Sequence, residues 1–214
     1  MNDIIAAHFQ LIRTRIEAEM KLHSIIMVTS AKADDGARLT AFGLAECLAA
    51  AGHQTALIDA TANPVAALDG RFKTSMQRDF PIYSLPRNTI ASSRASDTLE
   101  SFARQMREEF DYTIVDAPPF GRESMTVKLA AKADAVLIAL RAGREPCAGD
   151  NLMVQALGLA GAALLGVIAA TPESIAHFEE HGGAQYVADA RPRAATAVPT
   201  SIGGDAVVRM RQAR

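Results

Sequence analysis

An open, mostly parallel α/β sheet with helices on both faces is the fold class this sequence predicts. Three observations carry that prediction. Short apolar runs rich in Ile and Val recur along the chain, as strands buried on both faces do. Stretches with helical periodicity separate them, so the strands are joined by crossovers and lie parallel. Polar residues close several of the runs, at the strand ends where open parallel sheets bind ligands.

Ile4 to Met20 reads as a helix with Phe9, Ile12 and Ile16 on one side, packed on the domain or on a neighbour. Ser24 to Thr29 (SIIMVT) is the first strand, and Ser30 to Gly36 is its polar loop. Leu39 to Ala51 is an alanine-rich helix, and Gly52 is a good stop for it. Thr55 to Ile58 is the next strand and runs into Asp59. Asp97 to Phe110 is amphipathic, with Leu99, Phe102, Ala103, Met106 and Phe110 on one face. Tyr112 to Val115 follows and ends at Asp116; Ala135 to Leu140 and Leu164 to Ile168 are two further buried strands. The expected division is an N-terminal helix over 1–22, an α/β domain over 23–172 and a flexible C-terminal region over 173–214.

The bulk properties narrow the function classes. The chain has 214 residues, of which 49% are hydrophobic and 21% charged, a balance for one globular domain. A formal net charge of -2 argues against nucleic-acid binding driven by bulk charge. Cys47 and Cys147 lie far apart, with no His or Cys at metal-ligand spacing. Without a signal peptide, they are expected as reduced thiols of a cytoplasmic protein. Asn151 to Pro172 carries no charge, and about 20 apolar residues suffice to cross a bilayer. Gly158, Gly161 and Gly166 divide that segment, so it reads as a helix through about Leu159 and then a strand. Beyond Val187, Arg191, Arg193, Arg209, Arg211 and Arg214 outnumber Asp189 and Asp205. A flexible tail is expected there, with contact to acidic lipid or a partner as the alternative.

Three polar groups fall at strand ends: the loop from Ser30 to Thr40, Asp59 closing TALID, and Asp116 closing YTIVD. Strand-end acids can hold Mg²⁺, which takes oxygen ligands and keeps part of its water shell. Asp59 and Asp116 are therefore the candidate metal and catalytic residues.

The stretches FQLIRTRI, IIMVTSAKADDG, AAAGHQTALIDA, FDYTIVDAPPFG, ADAVLIALRAGR and LLGVIAA occur in this order. In them the chain resembles the bacterial tyrosine kinases that regulate exopolysaccharide and capsule synthesis, P-loop proteins related to the Min/Par ATPases. The resemblance covers roughly residues 8 to 170. It implies the P-loop NTPase type of sheet, ATP or ADP with Mg²⁺, and roles for Asp59 and Asp116 in positioning magnesium and water. It also implies a membrane-embedded polysaccharide chain-length or export protein as partner, homo-oligomerisation, and a location at the inner face of the cell membrane.

The phosphate loop departs from the family's pattern. Where the family reads approximately PGEGKST, this chain has Ala33, Asp34, Asp35, Gly36, Ala37, Arg38 and Leu39. Ala37 stands in place of the phosphate-binding lysine and Arg38 in place of the magnesium-binding hydroxyl, with Thr40 two positions late. Asp34 replaces a glycine, and Ala170 stands where the family often has a base-contacting asparagine. A phosphate loop aims N–H groups and a lysine at anionic oxygens. Losing the cation and gaining Asp34 shifts the local charge by about two units, at about 1 to 4 kcal/mol per contact. Gly36, Lys32, Arg38 and Thr40 remain the candidate cofactor-binding residues, with Lys32 or Arg38 as substitute cations. The N-terminal oligomerisation motif retains only Arg13, beside Ala7 and Gln10, and the tail has only Tyr186 in place of a tyrosine cluster.

The expected function is a kinase-like regulator or scaffold of exopolysaccharide assembly with impaired nucleotide chemistry. An active ATP-dependent tyrosine kinase or ATPase with an altered loop is the alternative. A dinucleotide-binding oxidoreductase ranks last, because the first loop lacks G-x-G-x-x-G spacing.

Overall fold

The computed structural model describes residues 3–61, 73–77, 80–85, 95–121 and 125–180. Its elements are α1 (Asp3–Glu19), β1 (Ser24–Ser30), α2 (Ala37–Ala50), β2 (Thr55–Asp59), β3 (Lys73–Gln77), β4 (Phe80–Ser84) and α3 (Ala95–Glu109). Then follow β5 (Tyr112–Asp116), α4 (Met125–Ala130), β6 (Ala135–Arg141), α5 (Ala148–Leu159), β7 (Leu164–Ala170) and α6 (Pro172–Phe178).

The strands form one 7-stranded sheet in the order β3-β4-β2-β5-β1-β6-β7. All neighbouring pairs are parallel except β3 with β4. This is the open, mostly parallel sheet that the sequence predicts. β1, β2 and β5 are buried along their whole length, which is why they appear in the sequence as continuous apolar runs.

Alternate residues of β1 feed two separate cores. Ile26 and Val28 face a layer made with α1, α2 and α6, including Phe9, Ile16, Leu44, Leu48, Ile175 and Phe178. Ile25 and Met27 face the layer of α3, α4 and α5, including Leu99, Met106, Leu129, Met153 and Leu157. Both faces are thus covered as far as β6; the edge strand β7, expected as a buried strand, is instead largely exposed or half-buried, with Val167 64% exposed.

The N-terminal helix packs on its own domain. Phe9 is buried, and a Cβ added at Gly43 would lie 2.3 Å from its ring. Glycine at that point of α2 is a seat for the phenyl group. The stretch without charges divides as its glycines suggest, into α5 and β7. No helix among the described residues is long and apolar enough to cross a membrane. The expected flexible region begins with a helix: Thr171 caps α6, accepting from the Ser174 amide, and the rings of Phe42 and Phe178 meet at 5.6 Å. Residues 181–214, with Tyr186 and the arginine-rich tail, lie outside the described residues.

Candidate functional site at the strand ends

Strand register brings the two acids together. Asp59 on β2 and Asp116 on β5 are direct partners in the parallel ladder, so their Cα atoms are about one strand spacing, ~4.8 Å, apart. Both side chains leave the carboxyl ends of their strands beside the β1–α2 loop. The turn after Asp116 is tied to β1: the Ala117 amide donates to the Val28 carbonyl at 2.9 Å and Phe120 to Ser30 at 2.8 Å. The Pro118 carbonyl accepts from the buried hydroxyls of Thr29 and Thr126, at 3.0 and 3.1 Å.

Arg38 reaches both acids from the first turn of α2. Its Nη2 lies 3.2 Å from Oδ2 of Asp59 and its Nε 3.7 Å from Oδ2 of Asp116. The other oxygen of Asp59 accepts from the amide and the hydroxyl of Thr61, at 2.9 and 2.6 Å. Asp116 is 2% exposed, and its Oδ2 has no hydrogen-bond donor. Burial, and then the charge of Asp59, push its carboxyl up to about 7, against the opposing pull of Arg38.

The loop acids are also paired. Asp35 is 0% exposed and takes a bidentate pair of bonds from Arg144, at 2.8 and 3.0 Å. The same guanidinium grips Asp150 on α5 at 2.7 and 2.9 Å, and the Cys147 amide adds a bond to Asp150 of 2.7 Å. Arg144 holds the Asp150 carboxyl well below the usual carboxylate range, and is itself raised by Asp150 and Asp35. Asp34 is exposed and pairs with Arg141 at 3.1 Å.

The remaining sequence candidates are placed as follows. Gly36 caps α2 in the left-handed region at φ 84, and a Cβ there would meet the Ala170 Cβ at 2.7 Å and Ile175 at 3.2 Å. A side chain would be both strained and blocked. The Thr40 hydroxyl is buried and donates back to the Gly36 carbonyl at 2.9 Å. Lys32 is exposed on the loop, and its amide donates to Asp35 at 3.1 Å. Asp59, Asp116 and Arg38 therefore form one cluster; Gly36 and Thr40 belong to the helix start, and Lys32 lies at the loop surface.

The donor set as folded does not fit Mg²⁺. That ion requires near-octahedral oxygen ligands at about 2.0–2.1 Å. Here a guanidinium bridges the two carboxylates and the nearby threonine hydroxyl is committed to a carbonyl. Among the described residues no group of three or more His, Cys, Asp or Glu is arranged to hold a metal. Nor does the loop offer a phosphate a buried cation, since Arg141 and Arg144 are engaged by Asp34, Asp35 and Asp150.

Comparison with known proteins fits this scaffold. No protein-family model matches the chain. The tyrosine-protein kinase CpsD of Streptococcus agalactiae is 26% identical over 202 residues, covering 82% of this chain and 87% of the kinase. The chain is homologous to this kinase. The kinase domain of the Escherichia coli tyrosine kinase ETK superposes with a TM-score of 0.63 at 19% identity, covering 92% of this chain and 80% of that one. The septum site-determining protein MinD of Pyrococcus horikoshii, solved with Mg-ADP, gives 0.53 at 15% identity, covering 68% and 69%. At such identities the structural likeness speaks for the fold alone. The chain shares the fold of the ETK kinase domain and of MinD.

Arg141, Arg144 and Asp150 were not foreseen as site residues. A signal for the arginines exists: ALRAGR closes a strand, and β6 lies directly beside β1 and its loop.

Proposed function

We propose that the protein is a kinase-like scaffold or regulator of exopolysaccharide or capsule assembly with impaired nucleotide chemistry. It docks on a membrane-embedded chain-length or export protein and so works at the inner face of the cell membrane. One observation carries the impairment: Arg38 is inserted between the two strand-end acids. The homology to CpsD supports the kinase-like class. The loop supports the rest, because Ala37 removes the lysine that a phosphate loop aims at its anion.

A second reading rests on the adjacency of Asp59 and Asp116 in register. In it the protein is an active ATP-dependent tyrosine kinase or ATPase, with exposed Lys32 or a displaced Arg38 supplying the cation. Self-assembly is compatible with either reading.

Genetic complementation separates the two. Deleting the gene in its own cell is expected to change the amount or chain length of the exported polymer. Asp116→Asn should restore the polymer as well as the wild-type gene does. Failure of Asp116→Asn to complement, together with autokinase activity in the purified wild type, would sink the scaffold reading.

A further inference from the structure

The two strand-end carboxylates already have a cation. We propose that Arg38 is a built-in replacement for a divalent ion, holding Asp59 and Asp116 in a cation-bound arrangement without metal or nucleotide. This deepens the scaffold reading, on which it rests for its consequence, but it concerns only what occupies the space between these acids.

The geometry is that of a bridge rather than a surface ion pair. Two different nitrogens of one guanidinium face two different carboxylates, Nη2 toward Asp59 and Nε toward Asp116. Strand register fixes the spacing of the acids, and the first turn of α2 fixes the root of Arg38. Asp116 has almost no access to water, so an ionised pair of acids here requires a cation within the fold. Thr61 satisfies the second oxygen of Asp59, leaving the oxygens that face Arg38 as the ones needing charge. The Asp116 oxygen at 3.7 Å receives charge but no hydrogen bond. A guanidinium suits this role because it stays protonated, is weakly hydrated and presents a fixed fork of donors.

The consequence is regulatory. A site that needs Mg²⁺ with its nucleotide changes its internal charge when the ligand comes and goes. A site filled by a tethered guanidinium does not. The strand ends and the α2 start of this chain are then fixed in one state, and contacts built on them are independent of nucleotide.

Mn²⁺ is the probe, read by the loss of its free paramagnetic signal and by thermal unfolding. The wild-type protein should bind no Mn²⁺ at millimolar concentration and show no shift in melting temperature with Mn²⁺ or Mg²⁺. Arg38→Ser removes the guanidinium and supplies a hydroxyl, so it should melt lower than wild type and gain Mn²⁺ binding. At a tenfold excess of Mn²⁺ over its dissociation constant, the folding equilibrium of the variant should shift about elevenfold toward the native state. Adding Asp59→Asn to that variant should abolish the gain, and Arg38→Lys should remain folded and indifferent to metal. Folding of Arg38→Ser only when metal is supplied supports the proposal too. Mn²⁺ binding by the wild type overturns it whatever the variants do, as does a well-folded Arg38→Ser that ignores the metal. Neither result touches the partner question, which polymer output decides separately.

Discussion

Replacing Arg144 by alanine should destabilise the protein by about 3–5 kcal/mol, the usual cost of removing one partner from a buried ion pair. Arg144 joins the β1–α2 loop to the start of α5 through four nitrogen–oxygen contacts, two to Asp35 and two to Asp150. Without it, the fully buried Asp35 keeps only the Lys32 amide at 3.1 Å and the Arg141 amide at 3.4 Å. Asp150 would suffer less, because it retains the Cys147 amide and some contact with water. Lysine at this position should recover only part of the loss, since an ammonium cannot form two bidentate pairs. Adding Asp35→Leu to an Arg144→Met background should recover part of it, because the fully buried charge is gone while Asp150 keeps the Cys147 amide and some contact with water. Urea unfolding measures each variant. A loss below about 1 kcal/mol for Arg144→Ala would mean that water reaches Asp35 and the network is a surface feature.

Phe9→Ala should cost a comparable 3–5 kcal/mol, in the range for truncating a buried aromatic ring. Phe9 is 5% exposed and sits against the bare backbone of Gly43. The empty seat cannot be refilled from α2, because glycine has no side chain to relax into it. Ile16 is also fully buried, so α1 should stay docked through its second half while its first turns loosen. Hydrogen exchange would locate the loosening. Gly43→Ala alone should also destabilise, by about 1–3 kcal/mol through overpacking. Combined with Phe9→Ala it should cost less than the sum, because the added methyl enters the space the ring has left. Strict additivity would show that the two residues do not share that space.

How much of this was legible in the sequence depends on what each element buries. The strands β1, β2, β5 and β6 lie inside the sheet, and burial on both faces writes an apolar run into them. α3 was legible for a different reason: its Leu99, Ala103 and Met106 mark one buried face. The pair β3 and β4 was not foreseen. KTSMQ has little apolar character and FPIYS contains a proline, both of which weaken a strand signal. α4 has only 6 residues, too few for its periodicity to stand out.

The candidate site was legible in composition but not in connection. Asp59 and Asp116 could be placed at strand ends, yet their direct pairing follows from β2 lying beside β5. Arg38 read in the sequence as a solvated loop charge, with a substitute cation for a phosphate as the alternative; in the fold it lies against the two acids. The attraction of two nearby carboxylates, one of them buried, is the physical reason. Asp34 was expected to face an incoming anion, and in the fold Arg141 lies against it. The Asp35–Arg144 pair spans 109 positions, a separation at which no local spacing signals a contact. Only the neighbouring of β1 and β6 brings those residues together.

Calorimetric titration of the full chain with ATP and ADP, with and without magnesium, tests the central claim most directly. If the protein is the proposed scaffold, with Ala37 in the loop and Arg38 held between the strand-end acids, it should release no binding heat at millimolar nucleotide, with or without Mg²⁺. Micromolar binding that requires Mg²⁺ and disappears in Asp116→Ala would contradict the account and make the protein a working nucleotide enzyme.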